Sequence, residues 1–224
     1  MPKPKKGKNS NQLQRTKGKK KPRKYILIVV EGQETEYNYL NSLKDDLKLK
    51  TTEIKVLRAG GGSPLDVVEK ANRLIIEQDK LYKKQGQPKY DEVICVFDQD
   101  NQIKKYDKAL IEAEKNNILA ITSIPCFELW FLLHCCNTSS PFANCKEVCK
   151  KLESEFKKLS FLKSKECYEK NNSDWYKILK PQLQNAIDNA EKLEKYQENN
   201  NENLNPSTKV HFLVKMLQNQ KDFQ

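Results

Sequence analysis

Two stretches of this chain are apolar at every position rather than at alternate ones: Tyr25 to Val30 (YILIVV) and Val93 to Phe97 (VICVF). Short unbroken runs rich in β-branched side chains predict strands buried on both faces. Ile54 to Leu57 is weaker and alternating, as suits a sheet edge, and Ile118 to Thr122 supplies a fourth strand. Between the strands the spacing turns helical. Tyr39, Leu40, Leu43 and Leu47 mark a helix from Thr35, its expected N-cap, to about Lys50. Val67, Val68, Ala71, Leu74 and Ile75 mark another from Pro64 to about Lys83, with Ser63 as N-cap, and Tyr106, Ala109, Leu110 and Ala113 a third. Strictly alternating strands and helices predict an α/β fold, a parallel sheet with right-handed crossovers and helices on both faces. A strand order of 2-1-3-4 sets the first and third strands side by side and makes their carboxyl ends the switch point of a Rossmann-like sheet.

The stretch from Ser123 to His134 (SIPCFELWFLLH) is a mostly apolar helix that starts after a proline, with Glu128 in its first turn and His134 near its end. Glu128 can complement the helix dipole and His134 can cap the far terminus. A carboxylate in so apolar a neighbourhood also needs a partner or a cation. From Asn144 onward the pattern is helical and charged: Val148 to Leu159, Trp175 to about Lys195, and Ser207 to about Gln218. The expected organisation is a tail over 1–24, an α/β domain over 25–143, and a helical region over 144–224 packed on the same core.

Charge changes the picture only at the amino end. The formal net charge is +11, and residues 1–24, with nine Lys, two Arg and no acid, account for all of it. So polar a segment cannot bury enough surface to fold alone and is expected to be disordered. Lysine-rich arms can bind nucleic acid by releasing counterions, which makes Lys17, Lys19, Lys20, Lys21 and Arg23 the candidates for recruitment; a merely solubilising leader is the plain alternative. The segment lacks the apolar core of a secretory signal, and no stretch is apolar for long enough to span a bilayer, so a cytoplasmic protein is expected. The seven cysteines fit that location as reduced thiols. Their odd number, the adjacent Cys135 and Cys136, and the absence of paired C-x-x-C spacings argue against a disulfide framework. Cys126, His134, Cys135, Cys136, Cys145 and Cys149 match no common zinc module.

The candidate chemistry sits at strand ends. Glu31 follows the first strand and Asp98 and Asp100 follow the third, where open α/β sheets place their ligands. Alternate residues of an extended chain point the same way, so the D-x-D pair can present two carboxylates to one Mg²⁺ or Mn²⁺ ion. A polar turn is the plain alternative for these acids. Gly60, Gly61, Gly62 and Ser63 precede a helix, whose free N–H groups can hold a phosphate; a tight turn needing positive φ is the alternative there.

Glu31 in VVEG, the D-x-D of VFDQD, the GGGSP loop, the SIPCFELW segment and the Asn205 to Leu213 run (NPST-x-V-x-x-L) together resemble the RloB family, from about Tyr25 to about Leu217. That family is regarded as carrying a Toprim-type catalytic domain. The resemblance implies that Glu31, Asp98 and Asp100 hold Mg²⁺ for phosphoryl transfer, with Glu31 as ligand or general base; Glu128, from its apolar setting, is the further candidate ligand. It implies a nuclease acting on RNA such as tRNA, or on DNA, within bacterial anti-phage defence, beside an AAA or ABC-type ATPase and with homo-oligomers possible. The alternative is a non-catalytic module that binds nucleic acid or regulates an ATPase complex. Retention of all three acids favours catalysis.

Overall fold

In a computed structural model, residues 24–222 are described, apart from 33, 50–51, 61 and 201–203. Lys17, Lys19, Lys20, Lys21, Arg23 and Gly61 lie outside the described residues. The four expected strands are β1 (Lys24–Val30), β2 (Thr52–Arg58), β3 (Glu92–Asp98) and β4 (Leu119–Ile124), all parallel and ordered β2-β1-β3-β4. Beyond β4 lies a fifth strand, β5 (Ser207–Thr208), which runs antiparallel. Ser207 was expected to begin a helix, and the structure corrects this. The outer edge of β4 would otherwise leave its polar backbone groups unpaired. Lys209 N–H donates to Thr122 O at 2.8 Å, and the Ser123 and Thr208 hydroxyls meet at 3.1 Å. The last helix, α8 (Val210–Asp222), starts only after this pairing.

Both faces of the sheet are covered, as the unbroken apolar runs require. Leu27, Val29, Cys95 and Phe97 point to α2 (Pro64–Gln85) and α3 (Ile103–Lys115). Ile26, Ile28, Val30, Ile94 and Val96 point the other way, to α1 (Thr35–Leu47), α4 (Glu128–Cys135) and the helices that follow. Those are α5 (Cys145–Lys158), α6 (Trp175–Leu179) and α7 (Leu183–Asn200). One helix was expected from Trp175 to Lys195. It is interrupted by a 3₁₀ turn over Lys180–Gln182, where Pro181 has no N–H to donate.

Helix α4 has no polar face, and Leu129 to Leu133 are fully buried because α5 and α7 pack against it. One apolar cluster runs from Ile26 through α4 to Leu217, so the later helices cover the same core as the sheet. No helix among the described residues is long and apolar enough to cross a membrane. The expectation of reduced thiols needs a second correction, because Cys126 is disulfide-bonded to Cys145. The turn before α4 lands on the amino end of α5, a contact between distant segments that residue spacing does not encode.

Candidate metal centre

Because β1 and β3 are parallel neighbours, both deliver their last residues to the same end of the sheet. Glu31 lies one residue past β1, and its own N–H continues the ladder to Val96 O at 3.0 Å. Its Oε2 accepts from Asp98 N–H at 3.1 Å. Asp98 closes β3 and directs Oδ2 at Phe127 N–H, 3.0 Å away. The turn ahead of α4 therefore fixes the orientation of this carboxylate. The other oxygen, Oδ1, is buried with no hydrogen-bond partner among the described residues.

Asp100 arrives differently from the expected extended D-x-D. Its φ is +40°, in the left-handed region that Asp tolerates better than most residues, and its N–H donates to Pro125 O at 3.0 Å. The chain turns back after Asp98, yet Asp100 stays close enough to Glu31 to raise the Glu31 pKa.

Two further carboxylates complete the cluster. Glu128 opens α4 and is 2 % exposed. Its Oε1 is 2.9 Å from Lys170 Nζ and 3.4 Å from the Tyr168 hydroxyl. Glu36, in the first turn of α1, is buried and close to both Glu128 and Asp98. Its carboxylate occupies the space that a Cβ on Gly32 would fill. Thr35, expected to cap α1, is instead its first residue, and its hydroxyl lies 3.2 Å from Lys170 O and 3.4 Å from Glu128 Oε1.

Crowded carboxylates out of water hold their protons more tightly. Asp98 is pushed well above the usual carboxylate range, first by burial and then by the charges of Glu36 and Glu128; the Phe127 N–H opposes this. Glu36 rises to about 7, again through burial first and Glu128 second. Burial also raises Glu31, against the Asp98 N–H that lowers it. A set of oxygen donors with mutual repulsion and one orphaned buried oxygen suits a hard divalent cation. Among the described residues no three of these acids bring their oxygens within 4.8 Å of one another, so Glu31, Glu36, Asp98, Asp100 and Glu128 could hold one only after their side chains rotate inward.

The glycine loop ends β2 beside this cluster. Gly60 has φ +80°, and a Cβ on Gly60 or Gly62 would meet open space. Gln102 Nε2 donates to Gly62 O at 3.0 Å, tying the loop to the segment after Asp100. Ser63 is the N-cap residue of α2 with Pro64 after it, as expected, but its side chain makes no bond to a backbone N–H; its buried hydroxyl donates to Asp66 Oδ2 at 2.6 Å. His134 does not serve as a terminal cation either. Burial lowers its pKa to about 4, against the opposing bond between Nδ1 and Trp130 O at 2.9 Å, so the ring is neutral inside the apolar core.

Glu36, Tyr168 and Lys170 were absent from the sequence reading. Glu36 carried a usable signal: it precedes Tyr39, Leu40 and Leu43 by three, four and seven residues, which places it on the buried stripe of α1. Tyr168 and Lys170 lie between helices, where no periodicity marks them. No curated protein and no solved structure matches the chain. The RloB-like protein family matches residues 26–217, the span that contains the sheet, the acid cluster and all but the end of α8. The chain therefore belongs to the RloB-like protein family.

Proposed function

We propose that this protein is a metal-dependent nuclease of Toprim type. The observation that carries the reading is Asp98, whose Oδ1 is buried and unpartnered among the described residues, bonded through its N–H to Glu31 and close enough to Glu128 to feel its charge. Glu31, Asp98, Asp100 and Glu128 would hold Mg²⁺ or Mn²⁺. When bound, such an ion activates water and offsets charge on the leaving oxygen of a phosphodiester. Asp98 is oriented for this by the Phe127 N–H before any ligand arrives. Glu36, buried beside Glu128, and Glu31 would serve as further ligands or as the base that takes a proton from the attacking water. The glycine loop positions a neighbouring phosphate through its backbone.

Family likeness adds the biological setting: cleavage of RNA such as tRNA, or of DNA, in bacterial anti-phage defence, beside an AAA or ABC-type ATPase. The test is cleavage of mixed tRNA, single-stranded RNA and duplex DNA by the purified chain, with Mg²⁺ or Mn²⁺ and with chelator, beside Asp98→Ala. Cleavage should need both the ion and Asp98. Cleavage that survives Asp98→Ala sinks the assignment. Silence on every substrate, together with no Mg²⁺ or Mn²⁺ affinity, turns the reading to a non-catalytic nucleic-acid-binding module.

A further inference from the structure

A second cluster of ligand atoms lies on the Oε2 side of Glu128. Cys126 sits two residues before Glu128, and Cys145 and Cys149 lie one turn apart on α5. The Sγ of Cys145 is 3.3 Å from Glu128 Oε2 and 3.9 Å from the Sγ of Cys149. One ligand atom each from Cys126, Glu128 and Cys145 lie within 4.8 Å of one another. Cys126 and Glu128 are each 2 % exposed. The other cysteines stand apart: Cys95 is buried on the opposite face of the sheet, Cys135 and Cys136 lie at the far end of α4, and Cys167 is exposed.

We propose that, once Cys126 and Cys145 are reduced, the thiolates of Cys126, Cys145 and Cys149 and the Oε2 of Glu128 form a four-ligand site for zinc. Three sulfurs select a thiophilic ion over magnesium, which prefers oxygen alone. Zinc–sulfur bonds of about 2.3 Å in a tetrahedron set neighbouring sulfurs about 3.8 Å apart. The Cys145 to Cys149 separation of 3.9 Å already has that value. Cys145 is the first residue of α5, where the helix dipole favours a thiolate. Lys170 Nζ lies 3.7 Å from Cys145 Sγ and offsets part of the negative charge that three thiolates and a carboxylate leave after zinc binds.

The Cα atoms of Cys126 and Cys145 are 5.4 Å apart, so rotation about their Cα–Cβ bonds separates the sulfurs without backbone travel. A dithiol reductant opens the bond, giving two thiols and becoming a cyclic disulfide itself. Zinc then displaces three thiol protons to solvent. Exchange with a small-molecule disulfide, which leaves as two thiols while the Cys126–Cys145 bond re-forms, empties the site again. The ion would tie the turn that holds Asp98 to the amino end of α5, and its binding does not depend on nuclease activity.

The test is Co²⁺ titration of the full chain, reduced with a phosphine under nitrogen. The expected result is one equivalent bound with thiolate-to-cobalt charge-transfer absorption and the visible bands of a tetrahedral site, displaced by Zn²⁺ and not by excess Mg²⁺. Cys149→Ser, at a half-buried position, should weaken binding at least tenfold and reduce the charge-transfer intensity. Cys167→Ser should change neither. The chain oxidised to the Cys126–Cys145 disulfide should show no such band. The proposal is overturned if the reduced, folded chain gives no charge-transfer band, or if the band persists unchanged in both Cys149→Ser and Cys145→Ser. It is overturned equally if mass spectrometry after alkylation finds that Cys126 and Cys145 resist reduction in the native state. Far-UV circular dichroism of each variant separates loss of the site from loss of the fold.

Discussion

Glu36 makes the metal-free protein sensitive to pH. A carboxyl whose folded pKa lies above its unfolded value stabilises the fold at low pH, and that contribution disappears as pH rises through the folded pKa. For Glu36 the rise from 4.5 to about 7 corresponds to roughly 3 kcal/mol lost between about pH 4.5 and somewhat above pH 7. Asp98, raised in the same direction, adds to the loss. Urea unfolding of the chelated protein should therefore show lower stability at pH 8 than at pH 5, and saturating Mg²⁺ should flatten the profile. Asp98→Asn should reduce the slope without the ion, since it removes a buried carboxyl whose ionisation the fold opposes. A chelated profile that is level or rises across this range would contradict the crowding of these acids. Gly32 offers a sharper probe: Gly32→Ala puts a methyl group where the Glu36 carboxylate lies. Isothermal titration should find Mn²⁺ affinity at least tenfold weaker, with metal-free stability changed by less than about 1 kcal/mol.

Helix α4 organises the elements around it. Every residue from Glu128 to His134 is buried, so the helix requires cover from all sides. A chain ending at residue 143 loses α5 and α7, which pack on α4, together with β5 and α8. It should give no cooperative thermal transition and should bind a dye that reports exposed apolar surface. A sharp transition from that truncated chain would show the α/β region to be self-sufficient. The same elements mark the limit of what the sequence discloses. The double-faced runs of β1 and β3 announce a sheet covered on both sides, and the order 2-1-3-4 follows from requiring Glu31 and Asp98 to meet. Asp98 and Glu31 were legible as candidates because open parallel sheets place functional groups beyond their strand ends. Glu36 was hidden by a reading that treated the start of α1 as a cap rather than as a buried face. Two-residue β5 is too short for any periodic pattern, and Lys170, Tyr168 and the Cys126–Cys145 bond arise from contacts between distant segments.

For the molecule as a whole, the net positive charge and the acid cluster belong to different parts of the chain. Residues 1–23 carry ten of the eleven net positive charges, and their removal should lower nucleic-acid affinity and reduce its dependence on salt, as read by fluorescence anisotropy across a salt series. Turnover at saturating substrate should change little. An unchanged salt slope would assign the polymer to another surface. This basic segment joins the fold at Lys24, the amino end of β1, whereas the acids lie past its carboxyl end. The seven residues of β1 measure about 20 Å. The sheet thus acts as a ruler. At about 3.4 Å per nucleotide of a stacked strand, about six nucleotides span the distance from the root of the basic segment to the acids. In the proposed nuclease, oligonucleotides long enough to run from the acids to Lys24 should gain most from residues 1–23, as read by cleavage of a graded length series with and without that segment.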